Sequence, residues 1–130
     1  MHLTTERFRI LVVDDSPLAL QRICSYLASE PSLQVIGTAG DGLEALRRMD
    51  QLHPDLVLLD LQMPGLNGLE VAALISKSGG RPAVVIVTGL EVPALAQSLK
   101  EYGISGLVSK QNLNDELPRV LDRILPKLRH

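Results

Sequence analysis

The chain has 130 residues and a formal net charge of −2, the size of one compact domain with too little positive charge to draw nucleic acid or an anionic membrane surface. Hydrophobic residues make up 45% of it, yet Phe8, Tyr26 and Tyr102 are its only aromatics and it has no Trp, which argues against a base-stacking platform for single-stranded nucleic acid. No stretch approaches the roughly 18 consecutive apolar residues of a membrane span, and "MHLTTERFRI" lacks the apolar core of a secretory leader, so no membrane association is expected.

The first strand is expected at "RILVV" from Arg9, and it runs into Asp14 and Asp15. Ser16 followed by Pro17 reads as an N-cap and first helical residue, and Leu20, Ile23, Cys24 and Leu27 follow at helical spacing. Cys24 is the one cysteine; without a disulfide partner, and inside that apolar stripe, it suits a reducing, cytoplasmic setting. A second strand is read at "LQVIGTA" from Leu33. Asp41 with Glu44 three residues later resembles a capping box for a second helix carrying Ala45, Leu46 and Met49. The third strand, "DLVLL" from Asp55, stops at Asp60. Ala72 and Ile75 mark a third helix, and "AVVIVT" from Ala83 is a fourth strand ending at Thr88.

Pro93 suits the first turn of a fourth helix that carries Leu95, Ala96 and Leu99. The fifth strand, "GLVS" from Gly106, leads to Lys110. A last helix runs through Leu117, Leu121, Ile124 and Leu128. Pro118 is compatible with it if the helix starts near Asn114, so that the missing N–H falls in the first turn; Pro126 is expected to kink or end it. The basic residues of "RVLDRILPKLRH" read as a solvated helix face.

Strand and helix thus alternate five times. Continuously apolar strands suit a parallel sheet covered on both faces, and right-handed crossovers turn the series into an α/β, doubly wound, five-stranded parallel sheet of order 2-1-3-4-5, a flavodoxin-like three-layer sandwich. One domain is expected over residues 1–130, with its core at about 9–125.

Such sheets bind ligands outside the carboxyl ends of their strands. There the sequence places Asp14 and Asp15, Asp60, Thr88 and Lys110. Two like charges about 4 Å apart repel by roughly 4 kcal/mol at an effective dielectric near 20, so three clustered carboxylates need cations. Lys110 supplies one. Oxygen donors without a His or Cys cluster favour Mg²⁺, with Mn²⁺ as a substitute, over Zn²⁺; His2, His53 and His130 are too scattered to form one. A divalent ion with open positions beside an aligned carboxylate and an ammonium suits phosphoryl transfer, with Asp60 as the nucleophile that becomes an acyl phosphate.

"ILVVDDSP", "PDLVLLDLQMPGLNGLE", "VVIVTG" and "GLVSK", in this order and spacing, resemble the receiver domain of bacterial two-component response regulators, and the likeness spans nearly the whole chain. The resemblance implies that Asp60 accepts a phosphoryl group from a histidine kinase or a phosphotransfer protein, without independent substrate turnover. It also implies that Asp15, Asp60 and the backbone carbonyl of Gln62 ligate Mg²⁺, with Asp14 acting largely through bound water. Thr88 would hydrogen-bond a phosphoryl oxygen and Lys110 would pair with it. Pro64, Gly65 and Gly68 would shape the turn beside Asp60. The switched surface would be the fourth helix, fifth strand and fifth helix, where Leu90, Val92, Leu95 and Leu107 are candidates for exposure and for a homodimer or output contact.

Two positions depart from the family's habit. Leu107 stands where an aromatic residue is frequent, which weakens the expected switch, and Gln111 stands where proline often follows the lysine, which disfavours a cis peptide there. "SKQNLNDEL" is closer to receivers attached to helix-turn-helix transcription factors. Three rival readings fit less well. A Mg²⁺-dependent aspartyl-phosphate phosphatase would want a second acid where Gln62 stands. A nucleotide-binding module would want a glycine-rich first turn in place of "DDSPLAL". A degenerate receiver serving only as a scaffold would not need Asp14, Asp15, Asp60, Thr88 and Lys110 intact.

Overall fold

The computed structural model describes residues 7–79, 81–89 and 99–128. Among these, strands and helices follow one another as β1 (Phe8–Val13), α1 (Pro17–Ala28), β2 (Leu33–Ala39), α2 (Gly42–Leu52), β3 (Leu56–Leu59), α3 (Gly68–Lys77), β4 (Ala83–Thr88), β5 (Gly106–Ser109) and α4 (Leu113–Ile124), the fifth of the expected helices. The expected fourth helix, with Pro93, Leu95 and Ala96, lies outside the described residues. The strands form one parallel sheet in the order β2-β1-β3-β4-β5, as the alternation of elements requires.

Side chains alternate across a strand, and in β1, β3 and β4 both faces are apolar, so these strands feed two cores. Ile10, Val12, Leu56, Leu58, Val85, Val87 and Val108 pack with Ile23 and Leu27 of α1 and with Leu113, Leu117, Leu121 and Ile124 of α4. Leu11, Val13, Val57, Leu59, Val84 and Ile86 pack on the other face with Ala45 and Met49 of α2 and Val71, Ala72 and Ile75 of α3. Each fully buried aliphatic side chain contributes on the order of 1.5–3 kcal/mol, which makes β3, buried along its whole length, the hub of the fold. The one irregularity in the ladder is between β1 and β2, where Ile10 and Leu11 face Val35 and Gly37 and the register shifts.

The caps are partly as read. Ser16 accepts the Ala19 N–H, with Pro17 in the first turn of α1. Asp41 accepts the Glu44 N–H, but Glu44 reaches back to the Gly40 N–H instead of closing the box on Asp41. The reciprocal box occurs one helix later, between Asn67 and Glu70 at the start of α3.

Pro118 does not fall in the first turn. α4 begins at Leu113 and carries this proline in its interior, so the carbonyl of the exposed Asn114 forgoes its intrahelical partner. Burial of Leu113, Leu117, Leu121 and Ile124 along one face keeps the helix continuous through it. Pro126 does end the α-helix, and the chain continues over Leu125–Leu128 as a 3₁₀ turn. Among the described residues no helix is long and apolar enough to cross a membrane.

Candidate functional site

The strands β1 and β3 lie side by side and end level, with Val13 opposite Leu59. The next residue of each is an aspartate. The pairing carries on past the strands: the Asp60 N–H donates to the Val13 carbonyl at 2.9 Å and the Asp14 N–H to the Ala39 carbonyl at 3.0 Å. This fixed backbone places Asp14, Asp15 and Asp60 so that a carboxylate oxygen from each lies within 4.8 Å of the others. Asp14 is fully buried, Asp60 is 3% exposed, and Asp15 faces solvent.

Lys110, just past the end of β5, reaches across β4's end to this group. Its Nζ is 2.8 Å from Asp14 Oδ2 and 3.5 Å from Asp60 Oδ1. The shorter contact is an ion pair without hydrogen-bond alignment, because no donor among the described residues meets Asp14 Oδ2 with proper geometry. The other Asp14 oxygen accepts the Ser16 N–H at 2.9 Å. Thr88 is fully buried at the end of β4, in register with Ser109 of β5.

Burial pushes the Asp60 carboxyl above its ordinary pKa, and the charge of Asp14 adds to the push. Lys110 and the Gln62 N–H pull it back only in part. Burial is also the largest single influence on Lys110, lowering its pKa, but Asp14 and Asp60 together outweigh it and hold the ammonium above its ordinary value. Three carboxylates facing one ammonium are therefore short of positive charge. A buried carboxylate oxygen without an aligned donor and an all-oxygen donor set fit a hard divalent cation.

The rim beside this group is a cleft of about 520 Å³ lined by Asp15, Leu61, Gln62, Met63, Pro64, Asn67 and Leu69. Its wall depends on close backbone approach. A Cβ on Gly68 would collide with the Asp60 carbonyl oxygen and come within 2.9 Å of Leu61 Cα, while the Gly68 N–H donates to the Leu61 carbonyl at 2.9 Å. Gly65 has φ +74°, a left-handed turn that favours glycine. Both belong to the turn that the sequence marks beside Asp60.

Asp14, Asp15, Asp60 and Lys110, distant in sequence, are thus gathered at one edge, with Thr88 on the strand between Asp60 and Lys110. Leu107 is half-buried and packs against the second core; Leu90, Val92 and Leu95 lie outside the described residues. Among the described residues the one cis peptide bond is Arg81–Pro82, so the bond preceding Gln111 is not cis. Gln111, standing where proline is frequent, links Ser109 to the Gly89 carbonyl through its side chain, a contact with no local sequence signal.

A parallel sheet of this order, with acidic residues and a lysine at its carboxyl edge, is a flavodoxin-like α/β sandwich. The sequence model of the response regulator receiver domain family matches residues 10–122, and the chain belongs to that family, the receivers of two-component signalling. It is 36% identical over 129 residues to a protein-glutamate methylesterase/protein-glutamine glutaminase of Koribacter versatilis, a match covering 96% of this chain and 35% of that protein. The chain spans about a third of the length of the methylesterases it matches. The response regulator domain of Thermotoga maritima CheB superposes with a TM-score of 0.76 at 32% identity, covering 95% of both chains. The receiver domain of the putative response regulator NarL from Mycobacterium tuberculosis superposes with a TM-score of 0.82 at 28% identity, covering 95% of this chain and 98% of that one.

Proposed function

We propose that this receiver accepts a phosphoryl group on Asp60. The observation that carries the reading is the position of Asp60: at the end of the most buried strand, with the oxygens of Asp14 and Asp15 within 4.8 Å and the Lys110 ammonium 3.5 Å away. Burial raises the proton affinity of Asp60, which also makes it a better nucleophile once a cation holds it ionised. An Asp60 oxygen attacks phosphorus in line, an O–P bond forms, and the donor's N–P bond breaks with its electron pair leaving on an imidazole nitrogen. The donor in this reading is a histidine kinase or a phosphotransfer protein.

Asp14, Asp15, Asp60 and the Gln62 carbonyl are the groups that would hold Mg²⁺, or Mn²⁺ in its place; the ion supplies charge neutralisation at the transferring oxygens. Lys110 neutralises a phosphoryl oxygen from the opposite side, and the Thr88 hydroxyl donates to another. After transfer, Asp60 carries more charge than before, and Lys110 is drawn from Asp14 toward the acyl phosphate. That redistribution biases the face built from β5 and α4, through which an output partner or a second copy is engaged.

The chain acts in this account as one self-phosphorylating unit with its core over residues 9–125, in the cytoplasm and without substrate turnover of its own. Incubation with Mg²⁺ and acetyl phosphate, followed by intact-mass measurement, tests the proposal: the wild type gains one phosphoryl group and Asp60→Ala gains none. Equal gain in both would refute it.

A further inference from the structure

Lys110 is held in place by groups that the transfer itself does not use. The β4–β5 ladder ends with Thr88 opposite Ser109, one residue short of Gly89 and Lys110. Beyond that rung the two loops are joined by a side chain. Gln111 Nε2 donates to the Gly89 carbonyl at 3.2 Å, and Gln111 Oε1 accepts from Ser109 Oγ at 2.6 Å. Chemistry fixes this orientation, since a carbonyl offers only lone pairs and must be met by the amide's NH₂, which leaves the amide oxygen for the hydroxyl. Ser109 gives no side-chain cap to the 3₁₀ turn of Lys110–Asn112, so its hydroxyl serves Gln111. Its N–H donates to Glu116 Oε1 at 2.7 Å, a charge-assisted bond from α4.

We infer that Gln111 is a positioning residue: with Ser109 it clamps the loop after β5 to the loop after β4, fixing the Lys110 ammonium against Asp14 and Asp60. The inference rests on the reading of Asp60 as phosphoacceptor. Lys110 lies between the two clamped residues, and its flexible four-carbon stem can keep an ammonium at the nucleophile only if its Cα is anchored. Gly89 adjoins Thr88, the last residue of β4, so the same amide ties the backbone beside that hydroxyl to the backbone beside the ammonium. Small displacements of such groups weigh heavily on an in-line transfer.

The test is the rate of phosphoryl uptake from acetyl phosphate in saturating Mg²⁺, followed by intact mass. Gln111→Ala, and Gln111→Glu, which keeps the acceptor but loses the NH₂ donor, lower the limiting rate roughly three- to tenfold, the factor carried by one modest hydrogen bond, while the half-saturating donor concentration stays put. Ser109→Ala slows uptake as well, Ser109→Thr retains the hydroxyl and the rate, and Ser109→Ala combined with Gln111→Ala is no slower than the slower single variant. A limiting rate in Gln111→Ala equal to that of the wild type would overturn the inference.

If the wild type itself takes up no phosphoryl group, the phosphoacceptor reading fails instead. The clamp is then judged on the nitrogen NMR resonance of the Lys110 ammonium, which is observable when the group is held and is lost by exchange when it is not. Loss of that signal in Gln111→Ala supports the clamp; an unchanged signal overturns it.

Discussion

Lys110 Nζ stands nearer to Asp14 Oδ2, at 2.8 Å, than to Asp60 Oδ1, at 3.5 Å. The ammonium is thus committed first to the fully buried carboxylate and only second to the proposed nucleophile. Substituting Lys110→Ala leaves the buried Asp14 side chain without its ion-pair partner. The lysine is itself a quarter exposed, so solvent softens the loss, and the metal-free fold is expected to lose about 1–3 kcal/mol, measured by denaturant titration. The same substitution removes the positive charge that competes with a divalent ion, so calorimetric titration should show tighter Mg²⁺ binding than in the wild type. Weaker Mg²⁺ binding would contradict the shared-site account.

If Asp14, Asp15 and Asp60 hold a divalent ion as proposed, that ion would bind the folded chain and not the unfolded one. Mg²⁺ at about a hundred times its dissociation constant should therefore stabilise by about 2.7 kcal/mol, raising the thermal midpoint by several degrees, and chelation should reverse the gain. Asp15→Asn removes an exposed ligand and should reduce the Mg²⁺-dependent shift while leaving the metal-free midpoint nearly unchanged. A shift of equal size in that variant would remove Asp15 from the site.

The pH dependence of the metal-free protein has a definite sign. Burial and Asp14 raise the folded-state pKa of Asp60 above its ordinary value of 3.8, so the folded chain binds that proton more tightly than the unfolded one. The ionised side chain consequently costs stability at every pH above the folded pKa, and the cost fades as pH falls through it toward 3.8. Lys110 behaves oppositely: its folded pKa is raised, so its contribution is complete below the ordinary value of 10.5 and is lost as pH rises through the folded value. Asp60→Asn should then be more stable than the wild type at neutral pH, with the difference closing on acidification. Melts across that range, in chelator, would show no such closing gap if Asp60 were unstrained.

Gly68 gives a purely steric test. A Cβ there meets the Asp60 carbonyl and the Leu61 backbone, none of which can retreat without moving the turn that carries the site. Gly68→Ala should destabilise by about 1–3 kcal/mol and slow phosphoryl uptake, whereas Gly65→Ala, at a position with open space but positive φ, should cost stability with a smaller effect on uptake. Comparison of the two by denaturant titration and uptake rate separates close packing from backbone strain.

Much of this was legible in the residues. The apolar runs at Leu33, Ala83 and Gly106 mark β2, β4 and β5 with the observed bounds, and β1 and β3 differ by a residue at their starts. Strands buried on both faces announce themselves by continuous hydrophobicity, and the acids that interrupt them then point to the edge. Long-range polar contacts were not legible. Gln111 meets Gly89 across 22 residues of sequence, and only the sheet order brings them together; in the sequence Gln111 showed only as a missing proline. Asp14 and Asp15 are adjacent and chemically alike, yet one is buried and the other exposed, a difference set by which way the chain turns after β1. α4 starts at Leu113, within a residue of the expected Asn114, but counted from either start Pro118 lies beyond the first-turn N–H groups that have no intrahelical partner.

The most direct measurement locates the modification itself. After exposure to Mg²⁺ and acetyl phosphate, borohydride reduces an acyl phosphate to the corresponding alcohol, and peptide mapping then reads which carboxylate was phosphorylated. The account predicts reduction at Asp60 alone, dependent on Mg²⁺ and absent when the phosphoryl donor is omitted. Reduction at Asp14 or Asp15 instead, or at none of the three in a protein saturated with Mg²⁺, would contradict it.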